Sequence, residues 1–383
     1  MSFLGESASD QWDCMDTSQL AEITLEGGPR QRGLQHGEML RGKIIALLDR
    51  WAESLDRVYG ISRDLYVRRF FAETRFEQAL RDHAPRVLEE IAAIAEAAGV
   101  DERTLLAFQH VNEEFWLALP RPAPAIAEAC STIALGSAAG RPSLIGQNLD
   151  LDQYLDGFQV MLRYACDESD GQIMALSVPG MISLNGMNSF GFAVCDNALT
   201  QLRADVAGVP IFAIYRSLLE SRSLAEATAR LGRYPHASGL NWVMGDPTGV
   251  AMLECSTSEM ARYGPTEPAL PIYHTNHPLK SRDLAPHAAT PRRPTRSTYL
   301  RFAALHERIT GLEDGLGIEA IKAILSSRDD PDYPVSRGGG RNEDDQQIGF
   351  TLACCIFELS AERPRLHIAA GPPHSHQFRT FDA

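Results

Sequence analysis

The sequence predicts an α+β chain: antiparallel sheets covered by helices. Three observations predict it. From Arg32 to Trp116 the apolar residues keep mostly a helical period. Beyond Cys130 they fall into short runs separated by Gly, Asp or Pro turns. Helices and then strands return at the end, without the strict βαβα alternation of a parallel sheet.

Ala21 to Glu26 suits a short strand. The clearest helix is Pro85 to Ala98. Pro85 fits the first turn, Val87, Leu88, Ile91, Ile94, Ala95 and Ala98 keep one face, and Gly99 fits the C′ position. Asp101 then caps a helix carrying Leu105, Leu106, Phe108 and Val111. The three prolines between Leu119 and Ala125 fit neither a helix nor a central strand, which predicts an exposed connector. Strands are expected at Cys130–Leu135, Ser143–Gly146, Phe158–Arg163 and Ile173–Val178. Asn185-Gly186 and Asn188 with Gly191 read as tight turns between further strands. Pro210–Leu219 and Ser223–Leu231 read as helices, the second opened by a Ser223/Glu226 capping box and ended at Gly232. Trp242–Met244, Val250–Glu254 and Pro271–Thr275 are strands, Ser297–Ile309 and Gly317–Ser326 helices, and Gly349–Glu358 and Arg365–Ala370 closing strands.

Length and composition narrow the function. At roughly 100–200 residues per domain, 383 residues make two domains or one large sandwich. With 44% hydrophobic and 22% charged residues, general disorder is excluded. The net charge is −14 and no Lys/Arg cluster stands out, which argues against nucleic acid and anionic membranes as partners. No secretory signal is apparent and no run is long enough to span a bilayer, so a cytoplasmic location is expected. The seven cysteines are odd in number, irregularly spaced and without C-x-x-C. They read as mostly buried reduced thiols rather than a disulfide framework or zinc knuckle.

Nucleotide-loop, zinc-protease, serine-hydrolase and dinucleotide fingerprints are absent. His374 and His376 form an H-x-H pair without a third ligand in view, so neither metal nor cofactor is expected. Asp150 and Asp152 share one strand face, readable as a cation site or as one structural and one solvated carboxylate. Cys130 opens a strand directly after the proline-rich connector. By position alone it is a buried strand cysteine.

The wider constellation changes that reading. Cys130-Ser-Thr is followed by Gly146-Gln-Asn-Leu-Asp150, then by His274-Thr-Asn-His-Pro278, then by Pro334-Val-Ser-Arg337 ahead of a hairpin ending in Ala370-Gly-Pro-Pro373. Gly33-Leu-Gln-His-Gly37 before a helix adds to it. Together these resemble the acyl-coenzyme A:6-aminopenicillanic acid acyltransferase family of Ntn hydrolases, related more distantly to penicillin V acylases and bile salt hydrolases. The resemblance covers most of the chain. It implies an αββα sandwich made as a precursor that cuts itself between Ala129 and Cys130, into a helical segment 1–129 and a segment 130–383. Ala129 stands where the penicillin enzyme has glycine, and is still small.

The resemblance also implies the roles. Cys130 becomes an N-terminus whose thiol is the nucleophile and whose α-amine, with an unperturbed pKa of roughly 7.7–8.0, is the base. Asp150 orients that amine, Asn276 donates to the oxyanion, and Arg337 is the cation near the thiol, with Arg341 or Arg301 as alternatives. The substrate would be an amide of a small molecule or small peptide, with transfer to an amine such as 6-aminopenicillanic acid as the alternative. No coenzyme A phosphate cradle is legible, which favours hydrolysis. An uncleaved papain-like enzyme using His274 or His277 and an inert binding module are the competing readings. The two segments are each other's partners, and homo-oligomerisation is left open.

Overall fold

The computed structural model describes residues 20–110, 113, 130–138, 140–267, 270–285, 296–312, 315–340 and 349–383. Ala129, Arg341 and the connector between Leu119 and Ala125 lie outside the described residues.

Strand β1 (Ala21–Leu25) leads into helices α1 (Pro29–Met39), α2 (Arg41–Tyr59), α3 (Arg63–Glu73), α4 (Phe76–His83), α5 (Pro85–Ala98) and α6 (Glu102–Phe108). Pro85 opens α5 and Gly99 closes it at φ 71°. The Asp101 carboxylate caps α6 by accepting from Thr104 N at 2.8 Å. Strands follow as β2 (Ser131–Leu135), β3 (Ser143–Leu151), β4 (Val160–Ala165), β5 (Gln172–Ser177), β6 (Asn185–Asn188) and β7 (Ala193–Ala198). After α7 (Ile211–Leu219) and α8 (Leu224–Leu231) come β8 (Leu240–Asp246), β9 (Gly249–Cys255), β10 (Met260–Gly264) and β11 (Ile272–His274). Helices α9 (Arg296–Thr310) and α10 (Ile318–Leu325) precede β12 (Phe350–Leu359), β13 (Arg365–Ala369) and β14 (Arg379–Asp382).

The strands form two sheets, ordered β1-β4-β5-β6-β7-β8-β9-β10 and β11-β2-β3-β12-β13-β14. They are α+β sheets as expected, but not wholly antiparallel: β1 runs parallel to β4. The whole helical segment lies between those two strands, long enough for the crossover that a parallel pair needs. The sheets face each other where β3 meets β8 and β9. Helices α7 and α8 lie against the first sheet, α9 and α10 against the second. Alternation sorts the second sheet's side chains. Ile133, Leu144 and Ile356 join Leu305, Ile321 and Ile324 under the helices, whereas Ala134, Ile145 and Phe357 join the main core.

Two local expectations change. Asn185-Gly186 lies inside β6 rather than in a turn, because a Cβ at Gly186 would come within 2.6 Å of the Met174 carbonyl on the paired strand. Strands β10 and β14 were not anticipated: both are edge strands with largely exposed side chains and no apolar alternation. Gly33 and Gly37 lie within α1 itself, and helix α2 follows at Arg41.

Those two glycines let α1 press against α5. A Cβ at Gly33 would lie 2.4 Å from the Glu90 carbonyl oxygen, and one at Gly37 2.4 Å from that of Ile94. Gly33→Ala gains helix propensity of about 1 kcal/mol. It also drives a methyl into backbone, and such overpacking costs about 1–3 kcal/mol. A lowered urea midpoint is expected; a raised one would refute the close contact. Beside it, Arg32 and Arg216 share buried Glu90 at 3.1 Å each, and Arg32 reaches Asp167 at 2.8 Å. This network ties α1, α5, α7 and the β4–β5 turn together.

Candidate functional site

Cys130 stands one residue ahead of β2, and strand register chooses its neighbours. Ser131 faces Asn148 of β3, and Thr132 faces His274 of β11. Continuing both ladders sets Cys130 opposite Leu149, beside Asp150, and opposite Asn276 on its other flank. Residues far apart in sequence thus meet at the end of one strand.

Each polar residue of the β3 motif has a physical reason. Gly146 leaves room for α10, since a Cβ there would sit 2.6 Å from Ile321 Cγ2. Gln147 points to the other sheet, donating to the Asp196 carbonyl at 2.6 Å and accepting from Asn185 at 2.7 Å. Asn148 donates to the carbonyls of Leu325 and Val335 at 2.8 and 2.9 Å, which anchors the approach to Arg337.

Asp150 is almost wholly buried. Its Oδ1 accepts from Thr351 Oγ1 at 2.6 Å, and its Oδ2 lies 3.8 Å from Arg337 Nη1. That separation is too long for a hydrogen bond, and Oδ2 has no hydrogen-bond partner. Burial pushes the Asp150 carboxyl up to about 6, while Arg337, Arg301 and the Thr351 hydroxyl act against burial. Thr351 also accepts from Arg337 N at 3.0 Å, so one hydroxyl fixes both members of the pair.

Arg301, fully buried on the first turns of α9, joins the two flanks. Its Nη1 donates to the Cys130 carbonyl at 2.8 Å and to Ser131 Oγ at 3.0 Å, and its Nη2 to Asn276 Oδ1 at 2.9 Å. Asn276 Nδ2 donates to the Ala198 carbonyl at 3.1 Å, and its backbone N to Thr298 Oγ1 at 2.8 Å. The Arg301 contact fixes which end of the amide is oxygen. It leaves Nδ2 with a second hydrogen to donate. Burial and the neighbouring Arg337 pull the Arg301 guanidinium down to about 9, so it remains cationic at neutral pH. Burial also lowers Arg337, and Asp150 and Cys130 oppose this.

The structure therefore brings Cys130, Asp150, Asn276 and Arg337 together, and Arg301 with them rather than in place of Arg337. Thr351, Thr298, Ser131 and the Ala198 carbonyl are additional members. Arg301 had a sequence signal: Ser297, Thr298 and Arg301 form one buried polar face on a helix whose other buried residues are apolar. Thr351, within an apolar strand, had none.

Other candidates fall away from this cluster. Asp152 lies beyond the end of β3 and feels Arg57, so it does not pair with Asp150. His374 contacts Ser336 Oγ at 2.7 Å and His376 the Pro372 carbonyl at 3.2 Å. Among the described residues no three His, Cys, Asp or Glu side chains converge as a metal site. His274 places one ring nitrogen 2.8 Å from Glu254 and the other 2.7 Å from the Thr275 carbonyl, so both are engaged away from a papain-like role. Among the described residues no helix is long and apolar enough to cross a membrane.

Several known proteins are similar to this chain. The family of acyl-coenzyme A:6-aminopenicillanic acid acyl-transferases matches residues 138–371. The 40 kDa form of acyl-coenzyme A:6-aminopenicillanic-acid-acyltransferase from Emericella nidulans is 25% identical over 342 residues, 88% of this chain and 90% of that protein. A mutant conjugated bile acid hydrolase from Clostridium perfringens is 13% identical, with a TM-score of 0.44, over 66% of this chain and 92% of that one. A Caenorhabditis elegans ortholog of N-acylethanolamine-hydrolyzing acid amidase is also 13% identical, with a TM-score of 0.42, over 66% of this chain and 100% of that one. Matched over more than half its length, the chain belongs to the acyl-coenzyme A:6-aminopenicillanic acid acyl-transferase family.

Proposed function

We propose that the chain is a precursor that cuts itself before Cys130 and then cleaves a small-molecule or small-peptide amide through a Cys130 thioester. In the first stage the thiol attacks the Ala129 carbonyl. The acyl group moves from nitrogen to sulfur, and water hydrolyses the thioester to an Ala129 carboxylate and a free thiol. In the second stage the same thiol attacks the substrate carbonyl. The α-amine of Cys130 takes the thiol proton and passes it to the leaving amine, and water releases the acid.

The observation that carries this reading is the buried Asp150 Oδ2, which has no hydrogen bond and belongs to the residue next to the one that strand register sets opposite Cys130. A buried carboxylate oxygen without a hydrogen bond is costly. An ammonium created by cleavage would supply the missing donor. Asn276 would donate its spare Nδ2 hydrogen to the oxyanion, and Arg301 would hold that amide and the Cys130 backbone in place. Arg337 and Arg301 would favour the thiolate.

Alkylation tests the thiol. Burial pushes Cys166 up to about 11 and Cys355 up to about 12, and also raises Cys195, Cys255 and Cys354. Iodoacetamide should therefore label Cys130 of the matured protein before these five. Equal labelling of Cys354 or Cys355 would contradict an activated Cys130.

The family and its Emericella relative, an acyltransferase by name, favour a second reading in which an amine replaces water. Supplying 6-aminopenicillanic acid as acceptor separates the two: transfer yields a new N-acyl product, hydrolysis only the free acid.

A further inference from the structure

Asn276 sits on a loop that follows a strand of only three residues, yet its amide must be held in one place. Arg301, Thr298 and the Ala198 carbonyl bond Asn276 itself, and a further group, on β9, holds the loop that carries it. Glu254 is fully buried. Its Oε1 accepts from Leu279 N at 2.7 Å and lies 2.8 Å from His274 Nε2. Its Oε2 accepts from Lys280 N at 2.9 Å and from Ser281 N at 2.6 Å. Three consecutive backbone amides thus converge on one carboxylate, the geometry of an anion nest. Hydrogen bonds to a charged acceptor are about twice as strong as neutral ones. Burial works against the charge, but the His274 contact and the loop amides outweigh it and hold the Glu254 carboxyl below the usual range.

We propose that Glu254 is a positioning residue for Asn276: by gripping residue 274 and residues 279–281 together, it closes the turn 275–278 and aims the Asn276 amide at the reacting carbonyl. The inference rests on the reading of Asn276 as the oxyanion donor. Glu254 touches neither Cys130 nor the substrate in this scheme. It acts by fixing both ends of a short loop, and a misplacement of about 1 Å at a reacting group can cost about 10²-fold in rate.

Glu254→Gln tests it. The carboxamide keeps the shape, but its nitrogen cannot accept from the loop amides. The readout is the first-order rate of self-cleavage of the full chain, followed on a denaturing gel, for wild type, Glu254→Gln, Asn276→Ala and the double variant. Glu254→Gln should slow cleavage by about 10²-fold. In the Asn276→Ala background it should cost little more, because the group it positions is gone. A purely structural glutamate would instead multiply the two losses, and that result would overturn the proposal, as would a wild-type rate for Glu254→Gln. A wild-type rate for Asn276→Ala would overturn the oxyanion assignment itself, and the positioning role with it.

If Glu254→Gln does not accumulate, Lys280→Pro enters the same cycle, since it deletes one donor and leaves the carboxylate intact. Hydrogen exchange on the full chain gives a reading that needs no turnover. Amides 279–281 should exchange faster in Glu254→Gln while those of β8 do not. Unchanged exchange at 279–281 would overturn the anchor.

Discussion

Cys130→Ala should yield one uncut chain that turns over no amide. The variant lacks the proposed nucleophile, so the precursor should stay whole. Without cleavage there is no α-amine, so nucleophile and base are lost together. Residues that act as such a unit are strongly non-additive, and the turnover loss should be at least about 10⁴-fold. The fold should survive, because the contact that ties this residue to α9 is made by its backbone carbonyl, which alanine keeps. Circular dichroism like wild type, with one band on a denaturing gel, is the expected pair of results. Cys130→Ser should cut slowly, since a hydroxyl is a weaker nucleophile than a partly ionised thiol. Full cleavage of Cys130→Ala would remove Cys130 from the mechanism.

Asn276→Ala should lower kcat by about 10²-fold with little change in KM, because an oxyanion donor acts mainly in the transition state. The loss is to be measured on protein that has already matured, since the same amide would serve self-cleavage. Asn276→Asp should be at least as damaging. Its carboxylate would still accept from Arg301, so the shape of the site is kept. The atom that now donates to the Ala198 carbonyl would become an acceptor facing an acceptor. A second negative charge would also stand where the oxyanion forms. Wild-type kcat in both variants would make Asn276 a turn residue and nothing more.

Much of this site was legible in the sequence because strand order does the assembling. The Cys130, Asp150 and Asn276 motifs belong to β2, to β3 and to the loop leaving β11, and those strands are neighbours. What hid was of two kinds. The β3 strand reads as ending at Gly146 because Gln147, Asn148 and Asp150 break its apolar run, yet it continues to Leu151. Its polar side chains are buried against the other sheet, α10 and Thr351, contacts that no local pattern reports. Thr351 and Glu254 were invisible for a related reason: each is a polar residue in an otherwise apolar strand, and its value depends on a partner brought near only by folding. The edge strands β10 and β14 were missed because side chains facing solvent carry no hydrophobic period.

The central claim is that the working enzyme begins at Cys130. The direct measurement is an intact mass of the purified wild-type protein under denaturing conditions, with N-terminal sequencing of what it resolves. Two polypeptides are predicted, residues 1–129 and 130–383, the longer starting at Cys130. A single full-length chain that still cleaves an amide would contradict the account.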